Sequence, residues 1–248
     1  MLINIAINAG VAFCGFLVPI IWRQMDRVRL IAVLGADRAR NVPVVMGVWS
    51  VADHPDGKRY MDKVSPTYGA TRVNYVGAPE MLARDDVNAL AEVTEALSKI
   101  TRINPCVLFD THTPDLQDGG VIIGSAVAND VSRRIQEHYG AHDEASLPIR
   151  IEIEPDDPDS MVIHAGVNGR TFRSDSVDEY AVIYRVKNPF SEKNNNLVFI
   201  WGQFANGTRV SATYFAKNWR SVFRWGRRGV VLKFPKNASG PVTVACRL

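Results

Sequence analysis

Asp110, His112, Asp115 and Asp118 set three carboxylates and one imidazole just beyond the apolar run Cys106 to Phe109. Carboxylates in such company can hold a divalent cation, or share general acid and base roles with the histidine. A membrane-anchored nucleotide or NAD hydrolase or glycosidase would therefore draw on Asp110, His112 and Asp115. The same letters, rich in Asp, Thr and Pro, also make a solvated turn, and that simpler reading is preferred. No CxxC, HExxH, Gly-x-Ser-x-Gly or GxGxxG occurs, so we expect no metal, no cofactor and no catalytic set. His164, midway along an apolar stretch, reads as a structural histidine.

A second group of residues suits binding better than reaction. In GGVIIGSAVANDVSRRI (residues 119–135) an apolar run meets Gly124-Ser125, and a polar helix start follows at Asn129-Asp130. Backbone N–H groups at such a turn favour anions and polar ligands. LVFIWGQFANGTRVSATYF (residues 197–215) repeats the pattern, with Gly202 ending a strand and Asn206, Gly207 and Thr208 opening a helix. A weaker copy, VPVVMGVWS, ends its strand at Gly47 and runs to Ser50. Three strand-to-glycine exits imply one crevice at the carboxyl ends of a parallel sheet. The expected ligand-binding residues are Gly47, Ser50, Gly124, Ser125, Asn129, Asp130, Gly202, Asn206, Gly207 and Thr208. Lacking the following lysine, none of these turns is a P-loop.

Positioning these residues requires alternating strands and helices. Val42 to Val48 reads as a strand, followed by a long irregular rim to about Tyr75. Asp85 or Asp86 can cap a helix with Val87, Leu90, Thr94 and Leu97 on one face. Val131, Ile135 and Tyr139 mark another helix, and Phe215, Trp219 and Phe223 a third. Residues 148–187 alternate apolar and polar letters and read as a β-rich insertion, with Asn168-Gly169 as a hairpin turn. Two strands, Val230 to Phe234 and Val242 to Cys246, close the chain. The run NWRSVFRWGRRG (residues 218–229) interleaves Arg220, Arg224, Arg227 and Arg228 with Trp219, Phe223 and Trp225. It suits a charged outer helix face over an aromatic inner one, or contact with an anionic ligand or headgroup.

The net charge of +3 is small for 55 charged residues, which argues against a nucleic-acid binder. Cys14, Cys106 and Cys246 are odd in number, far apart and among apolar neighbours, as buried free thiols are. Leu2 to Trp22 carries no charge, enough helix to cross the roughly 30 Å of a bilayer core. Arg23, Arg27, Arg29, Arg38 and Arg40 follow it. By the positive-inside rule this predicts a single-pass inner-membrane protein, anchored through residues 2–22, with its soluble domain in the cytoplasm, the alternative being a buried core helix because Asn4, Asn8 and Pro19 dilute the apolar run. Residues 1–29 would be anchor and basic flank, and 30–248 the domain.

The early small-residue turn at Gly47 to Ser50, the Gly124 to Asp130 loop and the Gly202 to Thr208 helix start resemble the SLOG superfamily of Rossmann-like proteins. The resemblance implies nucleotide or related ligands and, in members fused to membrane helices, sensors or effectors of bacterial defence. Catalytic members follow the Gly-Thr with a helix glutamate, whereas Ser211 and Ala212 stand here, which favours sensing over hydrolysis. The expected fold is therefore α/β, a Rossmann-like, largely parallel sheet with a β-rich insertion after one N-terminal transmembrane helix. The expected function is a sensor of a small anionic ligand, a nucleotide by preference, that forms homo-oligomers when occupied. A ligand-free scaffold is the remaining alternative.

Overall fold

The computed structural model describes the chain except for Met1 and residues 36–40, 54–58, 66–68, 76–79, 82, 101–102, 111–116, 155–156, 167–168 and 237–239. His112, Asp115 and Asn168 therefore lie outside the described residues. The helices are α1 (Leu2–Leu34), α2 (Arg84–Ser98), α3 (Asp130–His142) and α4 (Ala205–Val222). The strands are β1 (Asn41–Met46), β2 (Trp49–Asp53), β3 (Arg59–Ser65), β4 (Gly69–Tyr75), β5 (Glu80–Met81), β6 (Asn104–Phe109), β7 (Gly120–Ile123), β8 (Ile149–Glu154), β9 (Asp157–Ala165), β10 (Arg170–Arg173), β11 (Asp178–Lys187), β12 (Asn196–Gly202), β13 (Gly229–Pro235) and β14 (Thr243–Arg247).

Seven strands form the central sheet in the order β14-β13-β11-β12-β7-β1-β6. From β6 to β12 the neighbours are parallel, and from β12 to β14 they are antiparallel. The remaining strands form two antiparallel sheets, β10-β9-β8 and β4-β3-β2-β5. The expected largely parallel sheet is thus corrected to a mixed architecture in which antiparallel pairs predominate. Connection length explains the difference. Residues 174–177 link β10 to β11 and residues 188–195 link β11 to β12, too short for a crossover helix, so β11 pairs antiparallel with its neighbour. Residues 149–173 form the separate β8–β10 sheet, while β11 joins the central one. The stretch read as an irregular rim, to about Tyr75, instead holds strands β2 to β4.

Both faces of the central sheet are covered. On one, Ala89, Val93 and Leu97 of α2 and Ala212, Phe215, Trp219 and Val222 of α4 pack with Leu30, Val33 and Leu34 of α1 over Ile183, Val198 and Ile200. On the other, Val131, Ile135 and Tyr139 of α3 join Ile149, Ile151 and Ile163 against Tyr184, Phe199 and Trp201. The α3 and α4 stripes are those expected. Of the expected α2 stripe Leu97 is buried and Leu90 packs partly buried against the core, whereas Val87 is exposed and Asp86, Ala89 and Val93 complete the buried side. Of the described thiols, both free, Cys106 is exposed on edge strand β6 and Cys246 is partly exposed, not buried as expected.

Among the described residues no helix is long and apolar enough to cross a membrane. The single-pass inner-membrane anchor over residues 2–22, with the domain on the cytoplasmic side, is therefore not supported. The apolar run is the first part of a 33-residue helix, and its second part is a packing element. There Leu30 and Leu34 are fully buried, and Asp26 is held by Arg220 of α4.

Candidate functional site

The parallel strands end level. Met46 faces both Phe109 and Ile123 across its two neighbours, and Ile123 faces Ile200. Gly47, Gly124 and Gly202 therefore lie along one carboxyl edge, and Asp110 ends β6 on the same edge. α3 leaves β7 toward one face of the sheet, and α4 leaves β12 toward the other. Such a fork in the chain is where open α/β sheets take ligands.

At this edge the polar groups are engaged with one another. Asn129, fully buried, caps α3: its Oδ1 accepts from the N–H groups of Val131 (2.9 Å) and Ser132 (3.1 Å), and its Nδ2 donates to the Ile123 carbonyl (3.0 Å). The Ser132 hydroxyl donates to the Gly124 carbonyl at 2.7 Å. Asp110 Oδ1 accepts from the Val48 N–H at 2.9 Å, and its Oδ2 accepts from the Asp130 N–H at 2.8 Å. Ser125 Oγ accepts from the Val127 N–H, and Thr208 Oγ1 from the Gly202 N–H. Asn206 Oδ1 accepts from Arg209, and Ser50 lies in β2 opposite Glu80. Asp118 is exposed, 3.6 Å from Lys193, and His164 pairs with Glu152 at 2.8 Å.

Close backbone approach accounts for the glycines themselves. A Cβ on Gly47 would stand 1.9 Å from the Ala128 carbonyl oxygen, and one on Gly202 would stand 2.3 Å from the Gly207 Cα. Gly124 has a φ of 110°, in the left-handed half of backbone space that side chains avoid. Asp110 therefore supplies, from within the chain, the anion that the α3 N-terminus would otherwise attract. Among the described residues no group of His, Cys, Asp and Glu is arranged to hold a metal ion.

A cluster of basic and aromatic side chains lies elsewhere, around a cleft of about 690 Å³ between α1 and the C-terminal end of α4. Trp22 and Arg29 line it from α1, Arg185 from β11, and Trp219, Arg220 and Arg224 from α4 and the turn after it. Its size is that of an ordinary small-molecule site. Arg220 is spent on Asp26: its Nε and one terminal nitrogen donate to the two carboxylate oxygens at 2.6 Å each, which raises its pKa. Arg185 differs. Burial, and then the nearby Arg228 charge, lower its pKa, and among the described residues no carboxylate pairs with its guanidinium. A half-buried cation with cationic neighbours is an unfavourable arrangement for the empty protein, and an anion would relieve it.

The basic and aromatic letters of residues 218–229 marked part of this cleft, but Arg29, Arg185 and Trp22 were not assigned to it. The available signal was Arg185 itself. It continues the Ala181–Ile183 face of β11, whose other members pack in the core. Compared with known proteins, the chain matches no family model, no curated protein and no solved structure.

Proposed function

We propose that this protein is a non-enzymatic binding protein for a small anionic ligand, a nucleotide or related phosphate ester, taken up in the cleft between α1 and α4. The observation that carries the reading is the half-buried Arg185 guanidinium, which has no carboxylate partner among the described residues. Arg29 and Arg224 add positive charge, and Trp22 and Trp219 offer aromatic surface to a base or other apolar part. Because α1 and α4 both line the cleft, an occupant would tie α1 more firmly to the domain, the coupling a sensor needs. The hydrolase alternative has less support, because both Asp110 oxygens already accept backbone N–H groups.

The test is thermal unfolding of the full chain against a panel of nucleoside mono-, di- and triphosphates, NAD, pyrophosphate and inorganic phosphate. A ligand at 100 times its dissociation constant adds about 2.7 kcal/mol. For a chain of this size that is a rise of roughly 5–10 °C. A rise with at least one phosphate ester that disappears in Arg185→Met supports the reading. No shift with any member, or a shift unchanged by that substitution, counts against it.

A further inference from the structure

β11 outruns one of its neighbours. β13 starts at Gly229, opposite Tyr184, whereas β11 continues through Arg185 and Val186 to Lys187, still in register with β12. The sheet therefore has a notch at this end, bounded by residues 185–187 and by the turn 224–228 that leads into β13. The Arg185 N–H closes the top of the notch by donating to the Arg228 carbonyl at 2.7 Å. Alternation along an antiparallel strand turns the Lys187 N–H to the same side.

A second cleft, of about 520 Å³, opens on the α3 side of this notch. Arg185 borders it as well as the cleft between α1 and α4. The turn does the same, with Arg224 on the first cleft and Gly226 and Arg228 on the second. The two clefts lie over opposite faces of the sheet and meet at Arg185. Their linings differ in chemistry. The first offers Trp22 and Trp219 beside Arg29 and Arg224, whereas the second offers Asp143, Ser146, Lys187 and Asn196. A carboxylate such as Asp143 repels phosphate but accepts hydrogen bonds from sugar hydroxyls, as acidic residues do in nucleotide sites.

Granted an anion at Arg185, as proposed above, we infer that the two clefts are one site crossing the end of the sheet, and that its occupant is a dinucleotide. The phosphate bridge lies at Arg185 and Arg228, one base lies against Trp22 and Trp219, and the sugar of the other half meets Asp143 and Asn196. Each cleft alone has the size of an ordinary small-molecule site, so a mononucleotide fills one and leaves the other empty.

Isothermal titration of the full chain with AMP, NAD and diadenosine tetraphosphate is the test. At least one of the two dinucleotides should bind about 10-fold or more tighter than AMP. Asp143→Ala with Lys187→Met, both at exposed positions, should remove that advantage, and each single substitution part of it. AMP binding and the circular dichroism should stay as in the parent. AMP bound as tightly as both dinucleotides overturns the inference while the anion site stands. An advantage that survives the double substitution overturns it too, as does an AMP affinity that falls together with it. If none of the three binds, the anion site and the dinucleotide fall together.

Discussion

Replacing Asp110 by alanine is expected to destabilise the protein by about 3 kcal/mol or more. Its carboxylate accepts two backbone N–H groups, from Val48 at 2.9 Å and Asp130 at 2.8 Å, and the residue is only 6% exposed. Hydrogen bonds to a charged acceptor contribute roughly 1.5–3 kcal/mol each, and a carboxylate at a helix N-terminus about 0.3–1 kcal/mol more. Alanine removes these contributions and leaves buried donors bare. Asparagine keeps one acceptor but turns an amide N–H toward the other donor, so Asp110→Asn should lose about half as much. Urea unfolding provides the assay: at a slope near 2 kcal/mol per M, the alanine variant's midpoint falls by about 1.5 M with the slope unchanged. Asp118→Ala, which loses only an exposed contact with Lys193 at 3.6 Å, should stay within about 0.5 kcal/mol of the parent. An Asp110→Ala protein as stable as the parent would refute the view that this residue clamps the carboxyl edge, and would reopen its reading as a chemical group.

Glu179 is buried, with one carboxylate oxygen unpartnered. Burial raises its pKa, against Lys236 and an Asn206 hydrogen bond, which lower it. The charged form is therefore disfavoured in the folded state, so stability is reduced above the raised pKa and recovers as pH falls through it. Glu179→Gln should raise the unfolding temperature at pH 7, and the advantage should vanish below the ordinary glutamate value of 4.5; a variant less stable at pH 7 would contradict this. Gly47→Ala would push a methyl 1.9 Å from the Ala128 carbonyl oxygen and should cost at least about 2–3 kcal/mol, or the soluble yield. Gly140→Ala, with nothing within 4 Å in helix α3, should instead gain about 0.5–1 kcal/mol, and both are read from denaturant midpoints. Arg220→Ala strands the buried Asp26 carboxylate; because Arg220 is itself half exposed, a loss of about 1–2 kcal/mol is expected, with a midpoint equal to the parent's as the contrary result.

Local order was the readable part of the sequence. The helix start at Asn129-Asp130 and the Val131, Ile135 and Tyr139 stripe of α3 depend on neighbours in the chain, as does the Phe215, Trp219 and Phe223 stripe, although the cap is Asn129 and not Asp130. The three glycine exits also stand along one edge. What escaped was decided by distant partners. Ala89 carries little hydropathy and Asp86 is charged, yet both are buried, so the pattern points to Val87 where the structure buries its neighbours. The apolar letters of β6 suggested burial, whereas β6 is an edge strand that leaves Cys106, Val107 and Phe109 exposed. Strand direction follows from short connections at β11–β12 and β13–β14, whereas β11 and β13 pair across the intervening β12 and α4, which no local pattern marks. At the Gly47 and Gly124 turns the amides of Val48, Asp130, Val131 and Ser132 are taken up by Asp110 and Asn129, and the Asp110 pairings, across 62 and 20 residues, are marked by no motif.

The central claim is most directly tested by Arg185→Met, measured by thermal unfolding with and without the phosphate ester that most stabilises the parent chain. A guanidinium confined without a partner is a cost to the empty protein, and methionine fills similar space without the charge. The account predicts opposite movements in one variant: an unfolding temperature above the parent's when ligand-free, and no further rise when the ester is added. A variant that is less stable alone yet still stabilised by the ligand would contradict it.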